Sequence, residues 1–156
     1  MVKDYNELVI TKALKSDLSE ILELQKKAFY SEAVFYNNFN IQPLLQTLEE
    51  INGEFKNKVF LRAVIGDRIV GSVRASMTDK KTCFIEKLVV LQEFRNKGIG
   101  YELFTRVQKQ FPAAKRFELV TAKLSAKNIH IYEKDGFKIY REERISKIPM
   151  VFMEKR

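Results

Sequence analysis

The chain has no tryptophan, one histidine and one cysteine among its 156 residues. A lone Cys83 cannot close an internal disulfide and has no partner for a metal site, so no metal centre is expected and a reducing cytoplasm is the simplest setting. No apolar run reaches the roughly 18 to 20 residues that span a bilayer, so no membrane association is expected. Met1 to Tyr5 lack an apolar core and a small-residue cleavage site, which predicts no secretory signal. There is no basic tail either. The 28 Lys and Arg are scattered among 20 Asp and Glu, and the net charge of +8 comes in no block. That distribution argues against a nucleic-acid binder, although a polyanionic small molecule remains compatible with it. Prolines number three and glycines six, and none cluster into a linker. With no repeats, the length predicts a single domain over residues 1–156.

What is present is a sequence of short periodic segments. Val9 to Ala13 reads as a strand. Ser16 or Asp17 then opens a helix, with Glu20 completing a capping box after Asp17. Leu18, Ile21, Leu22, Leu24, Gln25 and Ala28 form its stripe through Phe29. Tyr30 to Asn40 reads as a loop or irregular helix, and Pro43 starts a second helix that Gly53 weakens. Val59 to Ile65, Ile69 to Met77 and Phe84 to Leu91 read as three strands, the first two joined by a turn at Gly66-Asp67-Arg68. The third is nearly all apolar, as for a strand buried on both faces. An amphipathic helix carries Leu103, Phe104, Val107 and Phe111. Phe117 to Thr121 is a strand, and Ser125 to Lys134 a helix stopped at Gly136. Phe137 to Ile145 and Met150 to Glu154 close the chain as strands. The order predicts an α/β (α+β) domain, a mixed sheet with helices on its faces.

Between the apolar strand and the next helix lies Arg95-Asn96-Lys97-Gly98-Ile99-Gly100. The first turn of a helix leaves N–H groups unpaired and carries partial positive charge. Glycines remove the Cβ atoms that would hold an anion off, so this turn can cradle a phosphate. Taken by itself, the hexapeptide equally describes a glycine pair that merely tightens a strand-to-helix turn. The spacing is not the dinucleotide fingerprint and lacks the Gly-Lys-Ser/Thr ending of a P-loop.

The combination of Arg95-x-x-Gly98-x-Gly100 with the later Tyr132-x-x-x-Gly136-Phe137 resembles the GNAT superfamily of acyl-CoA-dependent N-acetyltransferases. The resemblance covers essentially the whole chain and is most specific from Phe84 to Phe137. It implies a mixed, mostly antiparallel sheet of about seven strands flanked by about four helices. It implies acetyl-CoA (coenzyme A) as cofactor, and direct transfer of its acetyl group to a primary amine in a ternary complex. Arg95, Asn96, Lys97, Gly98, Ile99, Gly100 and Tyr101 then hold the pyrophosphate. Backbone groups of Leu88, Val89 and Val90 pair with the pantetheine arm, beside a splay toward the Phe117–Thr121 strand. An N–H near Val90 stabilises the oxyanion. The family's usual asparagine seven residues before the helix tyrosine is Ser125 here, and Asn128 is displaced to four before it. Either side chain can bond the cofactor arm, and Ser125 can equally cap the helix.

The same resemblance makes Tyr132 the candidate general acid toward the departing thiolate. The alternative is a helix tyrosine packed in the core. Glu86 is the only acid in the apolar run, where period two sets it on a face with Phe84, Leu88 and Val90. Its position matches a glutamate of the polyamine-acetylating branch, which makes it the candidate base. The alternative is a glutamate salt-bridged to a neighbouring strand, for instance to Arg74.

In the family the first two helices line the acceptor cleft. Phe29, Tyr30, Phe35, Tyr36 and Phe39 are the aromatic candidates to bracket an amine, and Glu32 to pair with a second cationic centre. Aromatic core packing is the competing account. A small-molecule amine or polyamine is favoured as acceptor, with a protein N-terminus, a lysine, an amino sugar or an amino acid left open. Homodimers are common in the family. A CoA-binding regulator without catalysis is the alternative function.

Overall fold

A computed structural model of the chain describes residues 7–156, and the reading of Met1 to Tyr5 lies outside the described residues. Seven strands form one sheet: β1 (Val9–Lys12), β2 (Val59–Ile65), β3 (Arg68–Met77), β4 (Thr82–Val90), β5 (Arg116–Ala122), β6 (Lys138–Ile145) and β7 (Ile148–Lys155). Their order is β1-β2-β3-β4-β5-β7-β6, and every neighbouring pair is antiparallel except β4 and β5. Five α-helices accompany them: α1 (Leu18–Tyr36), α2 (Gln42–Leu45), α3 (Leu48–Phe55), α4 (Ile99–Gln108) and α5 (Ala126–Lys134). The mixed, mostly antiparallel seven-stranded sheet is as the sequence predicts.

Three local expectations are corrected. The segment from Tyr30 is helix as far as Tyr36 and loop only over 38–40, because α1 continues until Asn37, whose left-handed φ of 49° stops it. The helix predicted from Pro43 is two helices. Thr47 starts the second with a capping box, its hydroxyl accepting from the Glu50 N–H and the Glu50 carboxylate accepting from the Thr47 N–H. Asp17 and Glu20 do not cap α1 by their side chains. A single 3-10 turn, Lys15–Asp17, runs straight into that helix, so no bare end is left to cap. Asp17 instead accepts from the Leu14 N–H and pairs with Arg62 at 2.9 Å, while Glu20 accepts from the Ile69 N–H.

Apolar side chains from both helix sets close the core around the central strands. Ile21 of α1, Ile51 of α3, Leu103, Phe104 and Val107 of α4, and Val70, Val73 and Ala75 of β3 are all fully buried. Gly71 sets how close α4 comes. A Cβ there would lie 2.9 Å from Leu103 Cδ1 and 3.2 Å from the Val89 carbonyl oxygen, so only glycine lets the helix seat on β3.

Two irregularities open the middle of the sheet. The β3–β4 register shifts between Ser72 and Arg74, and Lys87 takes φ 54°, which makes a bulge in β4. The parallel β4–β5 ladder is short. It joins Thr82, Cys83 and Phe84 to Arg116, Phe117 and Glu118 and goes no further, although both strands do. Beyond Phe84 one edge of β4 still pairs with β3, while the other has no strand beside it among the described residues.

Candidate active site

The gap between β4 and β5 opens beneath the start of α4. After Val90 the chain makes a 3-10 turn, Gln92–Phe94. It then takes the left-handed conformation at Asn96 (φ 63°) and again at Gly98 (φ 86°), the residue before the helix. No side chain caps α4. Its first N–H groups therefore stay available, with the positive end of the helix dipole behind them. Gly100 sits in the first turn. A Cβ there would meet Ile131 Cδ1 at 3.6 Å and Val90 Cγ2 at 3.7 Å, ordinary contacts, so packing does not demand glycine at this point. The space its missing side chain leaves belongs to the cavity.

That cavity measures about 940 Å³ and runs from this loop to α1. Leu88, Val89 and Val90 of β4 line it, together with Arg95, Asn96, Gly98, Ile99, Gly100 and Tyr101. Ser125 and Asn128 line it from α5, and Phe29, Glu32, Phe35 and Tyr36 from α1. Ser125 holds the position before α5 without capping it, which leaves its hydroxyl to the cavity. The Arg95 Nε donates to the Val90 carbonyl at 3.2 Å, tying the loop to the strand end and leaving its other guanidinium N–H groups unused by that bond. Most of the predicted set thus converges in one place. The exceptions are Lys97, Tyr30, Phe39, Glu86 and Tyr132, which are not part of the wall.

Each exception has a physical reason. Lys97 stands exposed to solvent between the two left-handed residues of the loop. Tyr30 lies off the α1 stripe of Ala28, Phe29, Glu32, Phe35 and Tyr36, and it packs outward on Phe39 with ring centroids 5.7 Å apart. Glu86 lies before the bulge at Lys87, and the extra residue breaks the alternation that would have set it beside Leu88 and Val90. Its carboxylate is engaged by cations on both oxygens, Lys58 Nζ at 2.6 Å and Lys87 Nζ at 3.4 Å. Arg74, its cross-strand neighbour, is instead held by Glu54, Gln25 and Gln46. Tyr132 is buried against Phe104, ring centroids 4.9 Å apart. Burial, with the charge of Glu32 adding to it, pushes its phenol far above the ordinary value, so it keeps its proton at any physiological pH.

Sequence reasoning missed Lys127, His130, Ile131 and Lys134, which all line the cavity from α5. Their spacing of three, one and three puts them on one helical face with Ser125 and Asn128 nearby, a signal readable in the sequence once the helix is placed. Lys134 also sits 4.6 Å above the Tyr101 ring, linking α5 to α4. Arg95, Lys127 and Lys134 bring three cations to a cavity walled by uncapped N–H groups and a glycine. That donor set fits a phosphorylated ligand.

A sheet parted between two strands and an uncapped, glycine-led helix after the first of them are what the resemblance to acyl-CoA-dependent N-acetyltransferases implies. The family model described as the acetyltransferase (GNAT) family matches residues 18–137, and the chain belongs to that family. It is an acetyl-CoA-dependent N-acetyltransferase by that membership. Comparison with curated proteins finds no match. Among solved structures, the chain is similar to PaiA N-acetyltransferase from Thermoplasma acidophilum in complex with coenzyme A. Identity is 17%, the TM-score is 0.77, and 96% of this chain and 98% of that one are covered. It is also similar to a ribosomal-protein-alanine N-acetyltransferase from Brucella melitensis, at 19% identity and TM-score 0.73, with 94% and 98% covered. A third is a phosphinothricin acetyltransferase from Sinorhizobium meliloti in complex with acetyl-CoA, at 17% identity and TM-score 0.74, with 96% and 88% covered. At these identities the likeness speaks for the fold. Among the described residues no helix is long and apolar enough to cross a membrane.

Proposed function

We propose that this chain, as a single cytoplasmic domain, acetylates a primary amine on a small molecule by direct attack in a ternary complex. The observation that carries the reading is the three-residue β4–β5 ladder, which leaves one edge of β4 from Leu88 to Val90 without a strand beside it along the wall of the cavity. Acetyl-CoA supplies the thioester carbonyl there.

The chain's own residues do the rest. N–H groups from Gly98 to Tyr101 hold the pyrophosphate, with Arg95, Asn96 and Lys97 flanking it. The N–H and C=O groups that the stretch from Leu88 to Val90 turns to the open edge of β4 align the pantetheine arm, and the N–H near Val90 faces the developing oxyanion. Ser125 and Asn128 bond the arm from α5. Tyr132 lies behind the wall, beside the lining residue Ile131, and its phenol reaches the cofactor sulfur to give its proton to the thiolate as the C–S bond breaks. Glu86 serves this site by fixing the bulge: its ion pairs with Lys58 and Lys87 hold the strand at the point where β4 and β5 part.

The test is thiol release from acetyl-CoA with a panel of small amines, amino sugars, amino acids and peptide N-termini, run beside Tyr132→Phe. The reading expects turnover with a small primary amine and a strong loss in the variant. Tight CoA binding with no turnover on any member would replace it with a non-catalytic CoA-binding role. Turnover on peptides alone would move it to protein acetylation.

A further inference from the structure

Among the described residues the cavity wall holds three cationic side chains, Arg95, Lys127 and Lys134, but only one carboxylate, that of Glu32 on α1. Among the same residues Glu32 makes no hydrogen bond or ion pair. A half-buried carboxylate without a partner is costly to the fold unless a ligand supplies the missing cation. A second observation lies one helical turn away. Tyr36 lines the same cavity four residues on; its buried hydroxyl oxygen faces the backbone of Leu124, while no acceptor lies within hydrogen-bond distance of its O–H. One face of α1 thus presents an unpaired carboxylate and an O–H without an acceptor to the same space. Across the cavity lies α5, whose Tyr132 feels the charge of Glu32.

We infer that Glu32 binds the ammonium of the acceptor and takes its proton, while the Tyr36 hydroxyl bonds a second polar group of the same acceptor. The inference rests on the acetyltransferase reading above and names the residue that selects and activates its amine. The acceptor arrives as R–NH3⁺. One N–H bond breaks, its proton passes to a Glu32 carboxylate oxygen, and the freed lone pair forms the C–N bond at the thioester carbonyl. The C–S bond then breaks. The thiolate takes the Tyr132 proton, and the second proton lost from nitrogen restores the phenol. One proton in all leaves to solvent, by way of Glu32. Burial raises the Glu32 carboxyl above the usual carboxylate range, which brings it nearer the amine it serves. The titratable and charged groups sharing its space are Tyr36 on its own helix, Lys127, His130 and Lys134 on α5, and Arg95 and Tyr101 opposite, with Tyr132 behind.

The experiment compares wild type with Glu32→Gln and Glu32→Asp, measuring turnover of a diamine across pH and binding of that diamine to the enzyme–CoA complex by calorimetry. Glu32→Gln should lower kcat/KM for the amine by about 10²-fold near neutral pH, with the KM for acetyl-CoA unchanged. The gap should close as pH approaches the amine's own pKa of about 10, where the free base needs no acceptor. Glu32→Asp should recover part of the loss, and amine binding should weaken in the Gln variant. Unchanged turnover and binding in Glu32→Gln, or an equal loss at every pH, overturns the inference and leaves the acetyltransferase reading intact. A wild type that binds the diamine through Glu32 without acetylating it overturns the proton transfer and the acetyltransferase reading together. One that neither binds nor acetylates any amine overturns both readings.

Discussion

Lys58 Nζ lies 2.6 Å from Glu86 Oε2, and the pair is partly buried, with side-chain exposures of 22% and 16%. The pair joins the start of β2 to the bulged middle of β4. Replacing Glu86 by Gln leaves Lys87 without its charge partner and Lys58 with Glu54 alone, at 3.4 Å. The expected cost is about 1–3 kcal/mol of stability. Chemical denaturation reads that loss, while amine turnover should fall far less than in Glu32→Gln. A collapse of turnover in a fully folded Glu86→Gln would return this residue to the role of base.

Tyr132→Phe removes a hydroxyl that no hydrogen bond holds among the described residues, so the ring stays packed on Phe104 and the melting temperature should barely move. The kcat should fall by about 10²-fold, with acetyl-CoA affinity retained. Stopped-flow detection of thiol release separates the two quantities.

Gly98 and Gly100 should respond to alanine in opposite ways. Gly98 has a left-handed φ of 86°, so Gly98→Ala strains the backbone by about 1–2 kcal/mol and lowers stability. Gly100 has helical geometry and room for a methyl group against Ile131 and Val90. Gly100→Ala should keep the fold and weaken acetyl-CoA binding by about tenfold, or about 1.4 kcal/mol. Thermal melts and calorimetric titration with CoA distinguish the pair.

Glu32 also predicts a pH signature in stability. Burial sets its carboxyl higher in the folded protein than in the unfolded chain, so folding favours the protonated form. Glu32 then costs nothing below the unfolded carboxylate pKa. The cost grows as pH rises from there through the folded value, and it persists above. Glu32→Gln should therefore melt about 1–3 °C higher than wild type at neutral pH and at the same temperature near about pH 3.

Cys83 is fully buried on β4, and burial pushes its thiol up to about 12. A thiol-specific reagent at neutral pH should label the protein only as fast as it unfolds. Rapid labelling of the native protein would contradict this burial.

The sheet was legible because its signals are local: the Gly66 turn, the apolar run before the glycine segment and the stop at Gly136 each act within a few residues. The glycine segment that lines the cavity was legible for the same reason. Of the acceptor candidates, Phe29, Glu32, Phe35 and Tyr36 line the cavity and Tyr30 and Phe39 do not, because placement there depends on phase and on distant partners. Whether α1 runs on past Phe29 decides if Tyr30 or Glu32 meets the cavity, and the continuation through Tyr36 gives it to Glu32. The bulge at Lys87 is invisible in a run of apolar residues, yet it decides the direction of Glu86. Lys58 as the partner of Glu86 is 28 residues away, and no periodicity points to it.

The short β4–β5 ladder has a mechanical consequence. Among the described residues it is the only strand pairing that joins the half of the sheet made by β1 to β4 to the half made by β5, β7 and β6, so three residue pairs form the seam of the sheet. A ligand that binds along the open edge of β4 spans that seam. Amide hydrogen exchange at Leu119 to Ala122 and at Leu88 to Val90 should then slow together on addition of CoA.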